Sequence, residues 1–153
     1  MNGTQRHTQY KDSKVERAIK ELDQYRAVCQ RILRLKEQQL RMEENYCGIK
    51  AVDYAKLKVQ GGVLKNELVD TAIKWAELDV KIAKEKVERE SIRFYLEGKM
   101  QTLPYEEQEV LTLYFINRLT VDVIALRMGR SVETVKRLKK KALRDYADVG
   151  VAK

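Results

Sequence analysis

Proline occurs once in this chain of 153 residues and glycine seven times, while aromatics make up only 7% of it. Strands call for β-branched and aromatic residues bounded by turn residues, so this scarcity favours long helices over sheets. There are two cysteines, Cys29 and Cys47. Their spacing is neither that of a disulfide framework nor that of a zinc site, and free thiols in a reducing cytoplasm are expected. The single histidine, His7, has no partner at metal-ligand or catalytic spacing. No glycine loop suited to cradling phosphate and no histidine–carboxylate–nucleophile set occurs. The acidic pairs Glu43-Glu44 and Glu106-Glu107 are neighbours on a helix and do not face one site. An enzyme is therefore not expected, nor any cofactor or metal. No apolar run approaches the ~20 residues that span a bilayer, and no signal-like stretch is present. A cytoplasmic protein without a membrane role is the expectation.

Charge is what the chain has in abundance. Charged residues make up 35% and the formal net charge is +8. Residues 127–144 hold eight bases against the single acid Glu133, so this segment carries +7 and the rest of the chain only +1. A near-neutral body with one cationic patch points to a polyanionic partner.

Residues 1–11 lack periodicity and are expected to form a flexible tail. Asp12 or Ser13 can then cap a helix whose apolar positions run Val15, Ala18, Leu22, Tyr25, Cys29, Ile32 and onward to Leu40, in steps of three and four. That pattern would reach about 45–50 Å at 1.5 Å per residue before Asn45-Tyr46-Cys47-Gly48 breaks it. Gly61-Gly62, in the run KVQGG, reads as a connector. A second helix is expected over about Asn66–Glu97, with a stripe wider than a strict coiled-coil seam. Residues 12–98 thus predict a long antiparallel hairpin. Its uncovered apolar surface suggests homo-oligomerisation, a dimer being favoured, although packing on the chain's own C-terminal domain would also cover it.

Beyond Gly98–Thr102 the helices become short. Pro104 suits a first turn, with Glu106, Glu107 and Glu109 at the positive end of the helix dipole. Val110, Leu111, Leu113, Tyr114 and Phe115 are expected to be buried. Thr120 can cap a short helix that stops at Gly129, the residue type best able to turn left-handed. Ser131 caps the next, whose apolar face reads Val135, Leu138, Ala142, Leu143. Two short helices joined by a glycine-containing turn form a helix-turn-helix, here expected over residues 103–147. Its last helix shows Glu133, Thr134, Lys136, Arg137, Lys140, Lys141 and Arg144 to solvent. Such a helix fits the major groove of double-stranded DNA.

The run from Leu103 to Leu143 resembles the C-terminal promoter-binding domain of bacterial sigma factors. The matching elements are Leu103-Pro104, Glu109-Val110-Leu111, Leu119-Thr120, Ile124-Ala125, Met128-Gly129, Ser131, Thr134-Val135-Lys136 and Lys141-Ala142-Leu143. That resemblance implies Glu133 and Lys136 at base-reading positions, with Arg137 near bases or backbone. It implies phosphate contacts from Thr120, Arg130, Ser131 and Lys140. First-turn arginines common in sigma-like domains are replaced here by Val132 and Thr134. The long helices, the KVQGG connector and this domain together resemble phage and prophage late-gene regulators of the ArpU/RinA type. This resemblance implies an activator of packaging, morphogenesis or lysis genes in a bacterial host cell, with promoter or operator DNA and RNA polymerase as partners. Two other readings fit parts of the pattern: a small-terminase-like DNA recogniser in packaging, and a protein-binding adaptor of RNA polymerase.

Overall fold

The computed structural model describes the backbone of residues 3–57 and 63–149 and the side chains of 13–45 and 67–149. The architecture is all-α. Helix α1 spans Gly3–Leu57 and α2 spans Val63–Met100. Three short helices follow: α3 (Tyr105–Leu111), which widens into a π-helical turn over Thr112–Ile116, then α4 (Val121–Met128) and α5 (Val132–Asp148). The Gly61-Gly62 connector, and the side chains of His7 and Cys47, lie outside the described residues.

Both long helices exceed their predicted limits. α1 begins at Gly3, so Asp12 and Ser13 are interior positions and not a start. It also passes through Asn45–Gly48 without breaking. One helical glycine costs only about 1 kcal/mol relative to alanine, and the surrounding Lys, Arg, Glu and Leu are strong helix formers. At the other end, Gly98 is absorbed into α2 in the same way.

The chain divides into two compact units: residues 28–88, and residues 1–27 together with 89–153. In the 28–88 unit, Val28, Ile32 and Ile82 are buried. Arg31 pairs with Glu85 at 3.0 Å and Glu88 at 3.4 Å, and Trp75 Nε1 donates to Glu43 Oε1 at 3.2 Å. Partners fall in number along α2 as they rise along α1, so the two helices run antiparallel here.

The other unit carries the short helices. Ala18, Leu22 and Tyr25 of α1 and Leu96 and Met100 of α2 are buried in it. The segment after α2 turns tightly: Gln101 N–H donates to Glu97 O at 3.0 Å, and Leu103 N–H to Met100 O at 2.9 Å. The Gln108 side-chain amide donates back to Leu103 O at 2.7 Å, and Thr112 Oγ1 lies 3.7 Å from Met100 Sδ. The change from long to short helices expected over 98–102 therefore falls inside this unit rather than at its edge.

Candidate nucleic-acid interface

Helix α3 supports everything that follows it. Val110, Leu111, Leu113, Phe115 and Ile116 are buried, while Tyr114 is half-buried. An ordinary α-helix cannot turn so dense a run to one side. The π-helical turn adds a residue per turn there and brings Leu113, Phe115 and Ile116 inward. Arg118 then takes a left-handed conformation (φ 59°), which reverses the chain into α4.

Thr120 stands at the start of α4 with extended backbone, and its carbonyl accepts from Ile124 N–H at 3.0 Å. Its hydroxyl makes no capping bond. The helix ends at Gly129, which is left-handed (φ 63°, ψ 36°). Gly129 N–H donates to Leu126 O at 3.4 Å and Arg130 N–H to Ala125 O at 3.0 Å. This pair of bonds is the Schellman closure that consumes the last free carbonyls of a helix. Ser131 caps α5: its Oγ accepts from Thr134 N–H at 3.2 Å and lies 2.8 Å from Thr134 Oγ1. Only Gly129, Arg130 and Ser131 separate the two helices.

Helix α5 has a sharply divided surface. Val135, Ala142, Leu143 and Tyr146 are buried, packed with Ile124 and Ala125 of α4 and with α3. Glu133, Arg137, Lys140 and Arg144 follow at steps of four, three and four, and all are exposed. At 3.6 residues per turn this stripe lies opposite the buried one and extends about 16 Å along the axis. Lys136 and Lys141 flank it, also exposed. Thr120, Arg130, Ser131 and Thr134 are exposed as well, so all ten predicted contact residues reach solvent around the turn and α5.

Several of these cations have acidic neighbours. Arg130 pairs with Glu106 on α3. Lys136 lies 3.9 Å from Glu133, and Lys141 lies 3.5 Å from Glu107. Among the described residues, Arg137, Lys140 and Arg144 form no ion pair. Lys139 faces another way: half-buried, it sits 4.0 Å above the Tyr114 ring.

Three features escaped the sequence reading. Glu107, expected at a solvated helix end, is 1% exposed. Burial pushes its carboxyl above the usual carboxylate range; neighbouring Asp145 pushes it further and Lys141 opposes. Its Oε2 receives no donor among the described residues. Asp145 offers only acceptors when ionised, so a proton on Glu107 is the donor that can join the two acids. Second, Tyr146 and Lys99 both bind Glu21 (Tyr146 Oη and Lys99 Nζ each 3.0 Å from Glu21 Oε1), and Lys99 sits 4.5 Å over the Tyr146 ring. Third, Arg26 and Arg118 join Thr120, Tyr114 and Lys139 around a groove of about 510 Å³. Residues so far apart in the chain carry no shared local signal.

Residues 100–145 match the family described as sigma-70, region 4. The match takes in the end of α2, all of α3 and α4, and α5 as far as Asp145. It covers 46 of the 153 residues. This sigma-like segment is similar to the helix-turn-helix with which sigma factors hold promoters, a DNA-binding domain in kind and not a catalytic one. No curated protein and no solved structure matches the chain. Among the described residues no helix is long and apolar enough to cross a membrane.

Proposed function

We propose that this protein is a sequence-specific, double-stranded DNA-binding transcriptional regulator. The observation that carries the reading is the exposed stripe Glu133–Arg137–Lys140–Arg144 on α5, within the segment that matches sigma-70 region 4. In this reading the N-terminal turn of α5 enters the major groove, where Glu133 and Lys136 meet base edges. Arg137, Lys140 and Arg144 run along the phosphates, with Lys141 at the margin. Arg130, Ser131 and Thr120 hold the backbone at the turn and at the start of α4. Phosphate contacts set register and affinity, while base contacts set sequence choice.

The biological setting we propose is activation of phage or prophage late genes in the cytoplasm of a bacterial host. The protein would act as a homo-oligomer, a dimer being favoured, at a promoter where RNA polymerase is close enough to be touched. The support for this is the joining of long helices to a sigma-like domain, within which residues 127–144 alone carry +7.

The test is selection of bound duplexes from a random pool by the full chain, followed by footprinting. A single enriched motif, protected from cleavage and lost with Arg137→Ala plus Lys140→Ala, is the expected result. Its affinity should fall steeply as salt rises, because displaced counterions accompany every phosphate contact. Absence of affinity for any duplex at low salt would overturn the reading and favour an adaptor that docks α5 on an acidic protein.

A further inference from the structure

Helix α2 carries two apolar seams, and its fold uses one. Within the 28–88 unit, Leu68, Thr71, Leu78, Ile82 and Glu85 are half-buried or buried, at steps of three, seven, four and three. A second series runs along the same helix: Val69, Ile73, Ala76, Val80, Ala83 and Val87, at steps of four, three, four, three and four. All six are exposed, the four larger ones by 51–72%. That spacing is a heptad repeat sustained over nearly three heptads, with β-branched Ile73, Val80 and Val87 at one core position and Val69 and two alanines at the other.

The flanks of this second seam are divided by charge. The positions bordering it toward the N-terminus hold Asp70, Glu77 and Asp79, and those toward the C-terminus hold Lys84 and Lys86. Parallel association of two copies would join only one kind of opposite pair, Asp79 with Lys84 of the second copy, twice by symmetry. Antiparallel association sets each half against its opposite. One register satisfies the centre of the core and the flanks. With its two-fold axis midway between residues 81 and 82, Val80 meets Ala83 of the second copy and Val87 meets Ala76, so that both valines face a small residue, while Ile73 lies opposite Glu90. The same register places Lys84 against Glu77 and Lys86 against Asp79, twice each by symmetry. Such flanking pairs set orientation in coiled coils. Among the described residues none of these four side chains already forms an ion pair.

We infer that a second copy of this chain docks on the outward seam of α2, antiparallel and in register about residues 81 and 82. The inference deepens the proposed dimer by naming its interface, and it holds or fails without reference to DNA. The mass of the full chain, measured by sedimentation equilibrium in the absence of DNA, is the first arm. A dimer at micromolar concentration is expected; a monomer overturns the interface. Val80→Glu plus Val87→Glu lies on an exposed face and should keep the helical circular dichroism while weakening the dimer at least tenfold. A dimer unmoved by that variant also overturns the proposal. Lys84→Glu plus Lys86→Glu should dissociate the dimer, and adding Glu77→Lys plus Asp79→Lys should restore it. Failure of that restoration counts against the register. Finally, a spin label at Asp70→Cys, with Cys29 and Cys47 replaced by Ser, should report a label-to-label distance of about 35 Å at 1.5 Å per residue. A distance below about 20 Å would mean parallel strands and overturn the orientation.

Discussion

The phenol of Tyr146 on α5 donates a hydrogen bond of 3.0 Å to Glu21 on α1, across 125 positions of sequence. Lys99 on α2 completes the cluster, bonded to the same carboxylate and stacked over the same ring. The helices α1, α2 and α5 are thereby tied at one point. Tyr146→Phe keeps the ring and its packing but removes the donor. A loss of about 1–3 kcal/mol is expected in urea unfolding, because the bond ends on a charged group in a partly buried place. Burial, together with Glu21, holds the folded phenol protonated well above its ordinary value of 10. Above that value the unfolded chain releases its proton first, so the phenol's contribution is present at lower pH and declines as pH rises past about 10. The Phe variant should lack this alkaline decline. Parallel unfolding profiles of parent and variant from pH 8 to 11 would contradict it.

Glu107 allows a comparison of the same sign at acidic pH. Its carboxyl is raised in the folded protein by burial and by Asp145. Its stabilising contribution is therefore complete below the ordinary carboxylate range and is lost as pH rises through the folded value. Glu107→Gln supplies a permanent donor to Asp145 without a charge. The stability difference, variant minus parent, should grow in the variant's favour from about pH 4 to pH 7, as read from paired thermal melts. A difference that shrinks over that range would mean the ion pair with Lys141 dominates.

The turn between α4 and α5 rests on two backbone requirements. Gly129 is left-handed, and nothing lies within 4 Å of where a Cβ would be added. Gly129→Ala should therefore cost about 1–2 kcal/mol through conformation alone, and Gly129→Asn less. Ser131→Ala removes the cap on Thr134 N–H and should cost about 1 kcal/mol. Denaturant midpoints measure both. No loss in either variant would show that packing of α4 on α5 holds the turn by itself.

Two lysines on α5 should behave differently on DNA. Lys136→Ala should weaken the selected site by about 1–3 kcal/mol and relax its sequence preference. Lys140→Ala should weaken all duplexes alike and lower the salt slope by about one. Titrations of specific and scrambled duplexes at several salt concentrations separate these outcomes. Equal effects from both substitutions would place Lys136 on the backbone too.

The short helices were legible because their signals are local. Gly129 needs only its own backbone freedom, and Ser131 needs only the amide three residues on. The stripe of Val135, Ala142 and Leu143 reads from spacing, as does the cationic stripe opposite it. Helix limits were less legible. Asn45–Gly48 and Gly98 look like stops, yet a long helix of strong formers runs through a glycine at small cost. Glu107 was misread because a first-turn glutamate has the same sequence appearance whether solvated or buried.

The sequence by itself determined the all-α class, the glycine turn and the division of α5 into apolar and cationic faces. Each of these follows from periodicity or from one residue's backbone preference. Only the tertiary structure decided that α1 and α2 lend their ends to the unit holding the short helices, that Glu21, Lys99 and Tyr146 meet, and that α2 keeps a seam uncovered. Those outcomes depend on which faces close against one another, and closure between distant segments is governed by their mutual fit, which no short stretch of chain encodes alone.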